Sequence, residues 1–158
     1  MRRKARGFSL IELLIVVAII LIIASIAIPN LLRAKMAADE ASAVASLRTL
    51  NTTIVEYSGT YGTDPATIAV LGPIASGGTP SSTTADLIDS LLATGTKSGY
   101  TFTYTPGTAT AGVVTSYTTI AVPVSTSTGQ RRFYTDQSGV IRATTNGSTP
   151  TASSTPIG

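Results

Sequence analysis

Residues 2–30 read RRKARGFSLIELLIVVAIILIIASIAIPN, and this stretch decides how the rest of the chain is organised. Four basic residues and a glycine precede an apolar run over residues 8–28, which is interrupted by Ser9, Glu12 and Ser25. At about 1.5 Å per residue, a helix of this length spans roughly 31 Å, close to the hydrocarbon thickness of a bilayer. The basic cluster predicts that the N-terminal end stays in the cytoplasm and that the C-terminal end faces outward.

Two details separate this stretch from an ordinary secretory signal. Such a signal ends its apolar region with a small-residue cleavage site, and nothing of that kind precedes Pro29. The small residue is instead Gly7, on the cytoplasmic side of Phe8. In addition, Glu12 lies inside the apolar run, where an unpaired carboxylate costs on the order of 3 kcal/mol or more.

The series from Gly7 through Phe8 to Glu12, followed by aliphatic residues and Pro29, resembles the N-terminus of type IV prepilins and of the pseudopilins of type II secretion. The resemblance is nearly continuous over residues 7–33. It implies that a membrane prepilin peptidase cleaves between Gly7 and Phe8, and that Phe8 becomes the N-methylated first residue. It also implies a pilin fold.

Within that resemblance, Glu12 matches the glutamate of the family and is assigned to subunit docking together with Phe8. Cleavage would leave a cationic amine on Phe8 within the membrane interface, and the Glu12 carboxylate of an adjacent subunit can neutralise it. Losing one member of a buried pair costs about 3–5 kcal/mol, so Glu12 would select correctly docked subunits. The alternative is a stray polar residue in an anchor helix.

Composition excludes several classes of function. Four of the eleven basic residues lie in the leader, which leaves seven basic and eight acidic side chains, a net charge of −1. A nucleic-acid-binding protein needs a basic patch, so no nucleic-acid partner is predicted. The chain has no cysteine and no histidine, and no catalytic constellation emerges. We therefore predict no enzyme activity, no cofactor and no metal site.

The whole chain divides by composition and periodicity into six segments. The expected segments are a removed leader (1–7), a transmembrane or filament-core helix (8–29), an amphipathic helix half (30–58), a variable connection (59–98), an antiparallel sheet (99–143) and a flexible Ser/Thr-rich tail (144–158).

Pro29 removes a backbone donor from the long helix, so a kink is expected there. Beyond it, two stripes recur at spacings of three and four. The large side chains of the first stripe are expected to cover a sheet: Leu47, Leu50, Ile54, Tyr57 and Tyr61. The second is an alanine stripe that either faces other subunits or reflects helix propensity alone: Ala34, Ala38, Ala41 and Ala45.

Short alternating runs beyond residue 98 predict about four antiparallel strands, at 99–105, 113–122, 131–136 and 140–143. Residues 84–93 predict a helix with Thr84 as its N-cap. Residues 136–139 hold a single carboxylate, too few for calcium, and are interpreted as a turn. Asp86 and Asp89 are interpreted as solvated side chains of the predicted helix.

These observations predict an α+β pilin fold, with one long N-terminal helix packed against a small antiparallel sheet. The favoured function is that of a major structural subunit of a type IV pilus-like filament, a homo-oligomer. One alternative is the major pseudopilin of a type II secretion system, and another is a membrane-anchored extracytoplasmic binding module. By resemblance, the partners are the prepilin peptidase, the inner-membrane assembly platform and an assembly ATPase. The expected location is the bacterial inner membrane, then an extracellular pilus or a periplasmic pseudopilus.

Overall fold

A computed structural model describes residues 8–74, 77–145 and 147–157. The main element is helix α1, Leu10–Tyr61, which runs through 52 residues. The chain divides into two compact units, residues 1–35 and residues 36–158. The first unit contains the apolar part of α1, and the second contains the rest of α1 together with every strand described below.

The first unit is a single α-helix in its described part. Its large apolar side chains have exposed fractions from 44% at Val17 to 80% at Phe8. The helix continues through Pro29. A proline leaves one carbonyl of the preceding turn without its usual donor, which is the reason for expecting a kink. The kink at Pro29 stays a prediction.

The second unit places the remainder of α1 against an antiparallel sheet. After a 3₁₀ turn at Ile68–Leu71 and a short helix α2, Ser90–Ala93, the strands follow in chain order. They are β1, Thr96–Lys97; β2, Tyr100–Pro106; β3, Tyr117–Pro123; β4, Arg132–Asp136; β5, Arg142–Thr144; and β6, Thr155–Pro156. Each strand pairs with the next along the chain, so the sheet is a simple meander.

The core of this unit confirms the expected contact between helix and sheet. Leu47, Leu50 and Ile54 are fully buried, Tyr57 is nearly so, and Tyr61 packs against the same cluster. The sheet contributes alternate residues to that cluster, as the pleat requires. They are Tyr100 and Phe102 from β2, Tyr117 and Ala121 from β3, and Phe133 from β4.

The number of strands differs from the prediction, since the described part of the sheet has six strands rather than about four. The additional strands, β1 and β6, contain two residues each, too few for any alternation to show in the sequence. Strand β6 lies within the residues that were expected to form a flexible tail. It pairs with β5, and the Ile157 backbone N–H donates to the Ile141 carbonyl at 2.9 Å.

The helix predicted over residues 84–93 is shorter than expected, and its predicted N-cap, Thr84, is wrong. The backbone N–H groups of residues 85–88 donate to carbonyls of residues 70–72, at 2.7–3.0 Å. Of these four, the Ile88 N–H is the one that a helix capped at Thr84 would have used. Asp86 has φ 57°, which is incompatible with a right-handed helix. The helix therefore begins only at Ser90, where Asp89 Oδ1 caps the Leu92 N–H at 3.1 Å.

Candidate functional site

The start of α1 brings Glu12, a predicted site residue, into contact with the backbone of Ser9. The helix begins at Leu10, directly after Ser9, and the Ser9 carbonyl accepts the Leu13 N–H at 3.2 Å. Glu12 Oε2 accepts the Ser9 backbone N–H at 2.8 Å. Ser9 thus precedes the first turn and Glu12 is the third helical residue, the spacing of a capping box. A carboxylate in this turn is also favoured by the helix dipole.

Phe8 lies directly before this turn, with an exposed fraction of 80%. Gly7, the other side of the predicted cleavage point, lies outside the described residues. Three assignments therefore stay predictions: cleavage between Gly7 and Phe8, N-methylation of Phe8, and docking through Glu12 and Phe8. Sequence reasoning missed the contact between Glu12 and Ser9, although the Ser-x-x-Glu spacing is its usual signal.

The helix that follows is strongly apolar, and any role of this segment depends on that property. Among the described helices, α1 contains a window of mean hydropathy 3.2, long and apolar enough by length and composition to cross a membrane. Its apolar side chains from Phe8 to Leu32 are exposed. Apolar surface of this extent is unfavourable in water, so it requires lipid or other helices around it.

A second carboxylate, Glu40, holds α1 to the sheet of the second unit. Glu40 Oε1 accepts the backbone N–H groups of Gln130 and Arg131 at 2.9 and 3.1 Å, and Oε2 accepts Arg131 Nε at 2.7 Å. Glu40 is buried, with 8% of its surface exposed. The three donors satisfy its charge, so the buried carboxylate ties the helix to the loop before β4. No periodicity in the sequence singles this residue out.

Burial would raise the pKa of Glu40, but the hydrogen bonds from Gln130 and Arg131 outweigh it and lower the pKa below its ordinary value of 4.5. The stabilisation from this carboxylate is therefore fully present above pH 4.5 and is lost as the pH falls through the lowered pKa. We expect Glu40→Gln to reduce the free energy of unfolding at pH 7, and to reduce it progressively less as the pH falls toward 3.

Denaturant unfolding of both proteins at a series of pH values measures this difference directly. Asp89 and Asp136 also have lowered pKa values: Asp89 pairs with Lys97, and at Asp136 burial, which alone would raise the pKa, is outweighed by hydrogen bonds from Ser138 and Tyr134. Their contribution is common to both proteins and cancels in the comparison. A difference between the two proteins that does not change with pH would contradict the assignment of the effect to the Glu40 charge.

The remaining carboxylates that the sequence singled out serve local structure. Asp136 begins the expected turn: its Oδ1 accepts the Ser138 N–H at 2.9 Å, and its backbone carbonyl accepts the Gly139 N–H at 2.9 Å. Asp89 Oδ2 pairs with Lys97 Nζ at 2.7 Å. Within the described ranges, no three carboxylates come together in a way that would hold a metal ion.

Comparison with known proteins finds the same N-terminal stretch. The family model of the prokaryotic N-terminal methylation motif matches residues 2–28. The type IV wide pilus major component PilA4 of Thermus thermophilus is 56% identical over 45 residues, which are 28% of this chain and 34% of that protein. The type II secretion system core protein G of Dickeya chrysanthemi is 34% identical over 74 residues, 47% of this chain and 48% of that protein.

The chain therefore carries the prokaryotic N-terminal methylation motif, and over part of its length it is similar to a pilus component and to a secretion-system component. It spans about a third and about half of the length of these two relatives. No solved structure matches significantly. The long helix packed on an antiparallel sheet is nevertheless the α+β architecture expected of a pilin.

Proposed function

We propose that this protein is a major structural subunit of a type IV pilus-like filament. The observation that carries the proposal is the methylation motif placed on a helix whose large apolar side chains are exposed from Leu10 to Leu32. Such a helix is stable in a membrane before assembly and among other helices of the same kind afterwards. Subunits stacked through non-closing contacts form an open helical filament.

In this proposal the prepilin peptidase cleaves between Gly7 and Phe8, and Phe8 is then N-methylated. The subunit waits in the bacterial inner membrane with its sheet outside the cytoplasm, until an inner-membrane platform and an assembly ATPase add it to the filament. Glu12 of the incoming subunit pairs with the Phe8 amine of a neighbour. The chain itself has no enzymatic role and is the substrate of the peptidase.

A second candidate is the major pseudopilin of a type II secretion system. The 74-residue similarity to core protein G supports it, since that similarity extends beyond the methylation motif. By resemblance, a type II pseudopilin is expected to hold calcium in a C-terminal loop, whereas the turn at Asp136 offers a single carboxylate, which favours the pilus. Both of its carboxylate oxygens accept hydrogen bonds within the chain, Oδ1 from Ser138 and Oδ2 from Tyr134.

Intact mass spectrometry of a sheared cell-surface fraction tests the proposal. We expect a mass that begins at Phe8 with one added methyl group, from material that electron microscopy shows as long fibres. A processed mass recovered only from the periplasmic side of the membrane would favour the pseudopilin. A full-length mass found only in membranes would contradict both filament functions and leave a membrane-anchored binding module.

A further inference from the structure

We propose that the backbone N–H of Ser9 positions the Glu12 carboxylate for docking, so that one of its oxygens is held and the other is presented to an incoming cation. This inference rests on the proposed function, because it assumes that Glu12 meets the amine of a neighbouring subunit. It goes further by assigning a positioning role to Ser9.

The geometry for this role is present in the isolated chain. Glu12 Oε2 accepts the Ser9 N–H at 2.8 Å, whereas Oε1 accepts no hydrogen bond from the part of the chain that the structure describes. A glutamate side chain on a helix surface has several rotatable bonds and samples many rotamers when nothing holds it. The contact with Ser9 restricts it to one orientation, in the first turn of α1.

Restricting the carboxylate in advance lowers the entropy that docking must remove. A group already held in its binding geometry binds more tightly than a free one, since less rotamer freedom is lost on association. The Ser9 N–H is also a suitable donor for an interface of low dielectric constant between docked subunits. A carboxylate there needs a hydrogen-bond donor, and a neutral backbone N–H supplies one without cancelling the charge that attracts an amine.

The donor is a backbone group, so residue 9 should matter through its backbone N–H and not through its side chain. Ser9→Pro removes that N–H at a position before the helix, so no N–H of the helix itself is lost, whereas Ser9→Ala keeps the N–H and removes only the hydroxyl. We expect Ser9→Pro to reduce filament yield at least tenfold per cleaved subunit, with Ser9→Ala close to wild type. Intact mass spectrometry measures the cleaved fraction of each variant, so an effect on the peptidase is separated from one on assembly.

A second measurement does not depend on filaments. Hydrogen exchange of the Ser9 amide is followed in the full-length protein solubilised in detergent. We expect Glu12→Ala to speed this exchange roughly fivefold or more, the effect typical of a lost cap. Glu12→Gln keeps an acceptor oxygen and should retain most of the protection, since a capping box accepts either residue. The same variant should still lose assembly, because it carries no charge.

The outcomes separate this inference from the proposed function. If the Ser9 amide exchanges at the same rate in the wild type and in Glu12→Ala, or if Ser9→Pro assembles like Ser9→Ala once cleaved, Ser9 does not position Glu12. The pilus proposal would survive either result. If Glu12→Ala assembles normally, the docking role of Glu12 is wrong even where the exchange experiment confirms its contact with Ser9.

Discussion

Replacing Glu12 with alanine should abolish filament assembly while leaving membrane insertion and leader cleavage unchanged. The apolar run that inserts the helix becomes more apolar in the variant, so insertion is not weakened. The variant lacks the only carboxylate of that apolar run. The Phe8 amine of the neighbouring subunit is then left without a counter-charge on docking. Such a loss costs about 3–5 kcal/mol, which corresponds to a decrease in association of roughly a hundredfold or more.

The measurement compares sheared filaments with total cleaved subunit in the membrane, by immunoblot and intact mass. Ser25→Ala is the matched control, since it removes another polar side chain from the same helix. Ser25 Oγ donates to the Ile22 carbonyl of its own helix, at 2.7 Å, and we expect the variant to assemble like the wild type. Normal amounts of Glu12→Ala filaments would refute the pairing mechanism.

The second large effect concerns the packing of α1 on the sheet. Leu50 is fully buried in the cluster formed with β2, β3 and β4. Leu50→Ala should lower the free energy of unfolding of residues 36–158 by about 2–5 kcal/mol, because it removes apolar burial and leaves a cavity. Alanine is the better helix former, so the loss arises from packing rather than from helix propensity.

Val55 provides the control on the same helix, since 66% of its side chain is exposed. Val55→Ala should change the free energy of unfolding by no more than about 0.5 kcal/mol. Denaturant unfolding of the full-length protein in detergent, followed through the near-ultraviolet signal of the tyrosines, reports on the sheet and its core. Equal destabilisation by the two variants would show that the helix does not bury the Leu50 face.

Much of the fold follows from the sequence because its patterns have a physical period. The spacing of Leu47, Leu50, Ile54 and Tyr57 identifies the buried face of α1, and alternation along β2 identifies its inward residues. What the sequence does not reveal is local competition for hydrogen bonds. Residues 84–89 have helical composition, yet Asp86 adopts a left-handed φ of 57°, and the Ile88 N–H donates to the Leu71 carbonyl rather than to that of Thr84.

In the candidate site, too, one carboxylate is evident from the sequence and another becomes evident only in the fold. Glu12 is conspicuous in the sequence because a carboxylate interrupts an apolar run. Glu40 sits among ordinary polar residues, and its partners lie 90 and 91 positions away, so only the fold brings them together. The contact between Ser9 and Glu12 is local and could have been predicted from its spacing.

The two-residue strands at either side of the sheet have a consequence for the proposed filament, in which subunits would first lie side by side in a membrane. An exposed strand edge is a template for pairing with another chain, and long, flat edges promote aggregation. Here one edge strand ends in Lys97 and the other contains Pro156, which has no N–H to donate. In the proposed filament these two edge strands would therefore offer little for pairing, and the apolar helices would remain the surfaces through which subunits associate in order.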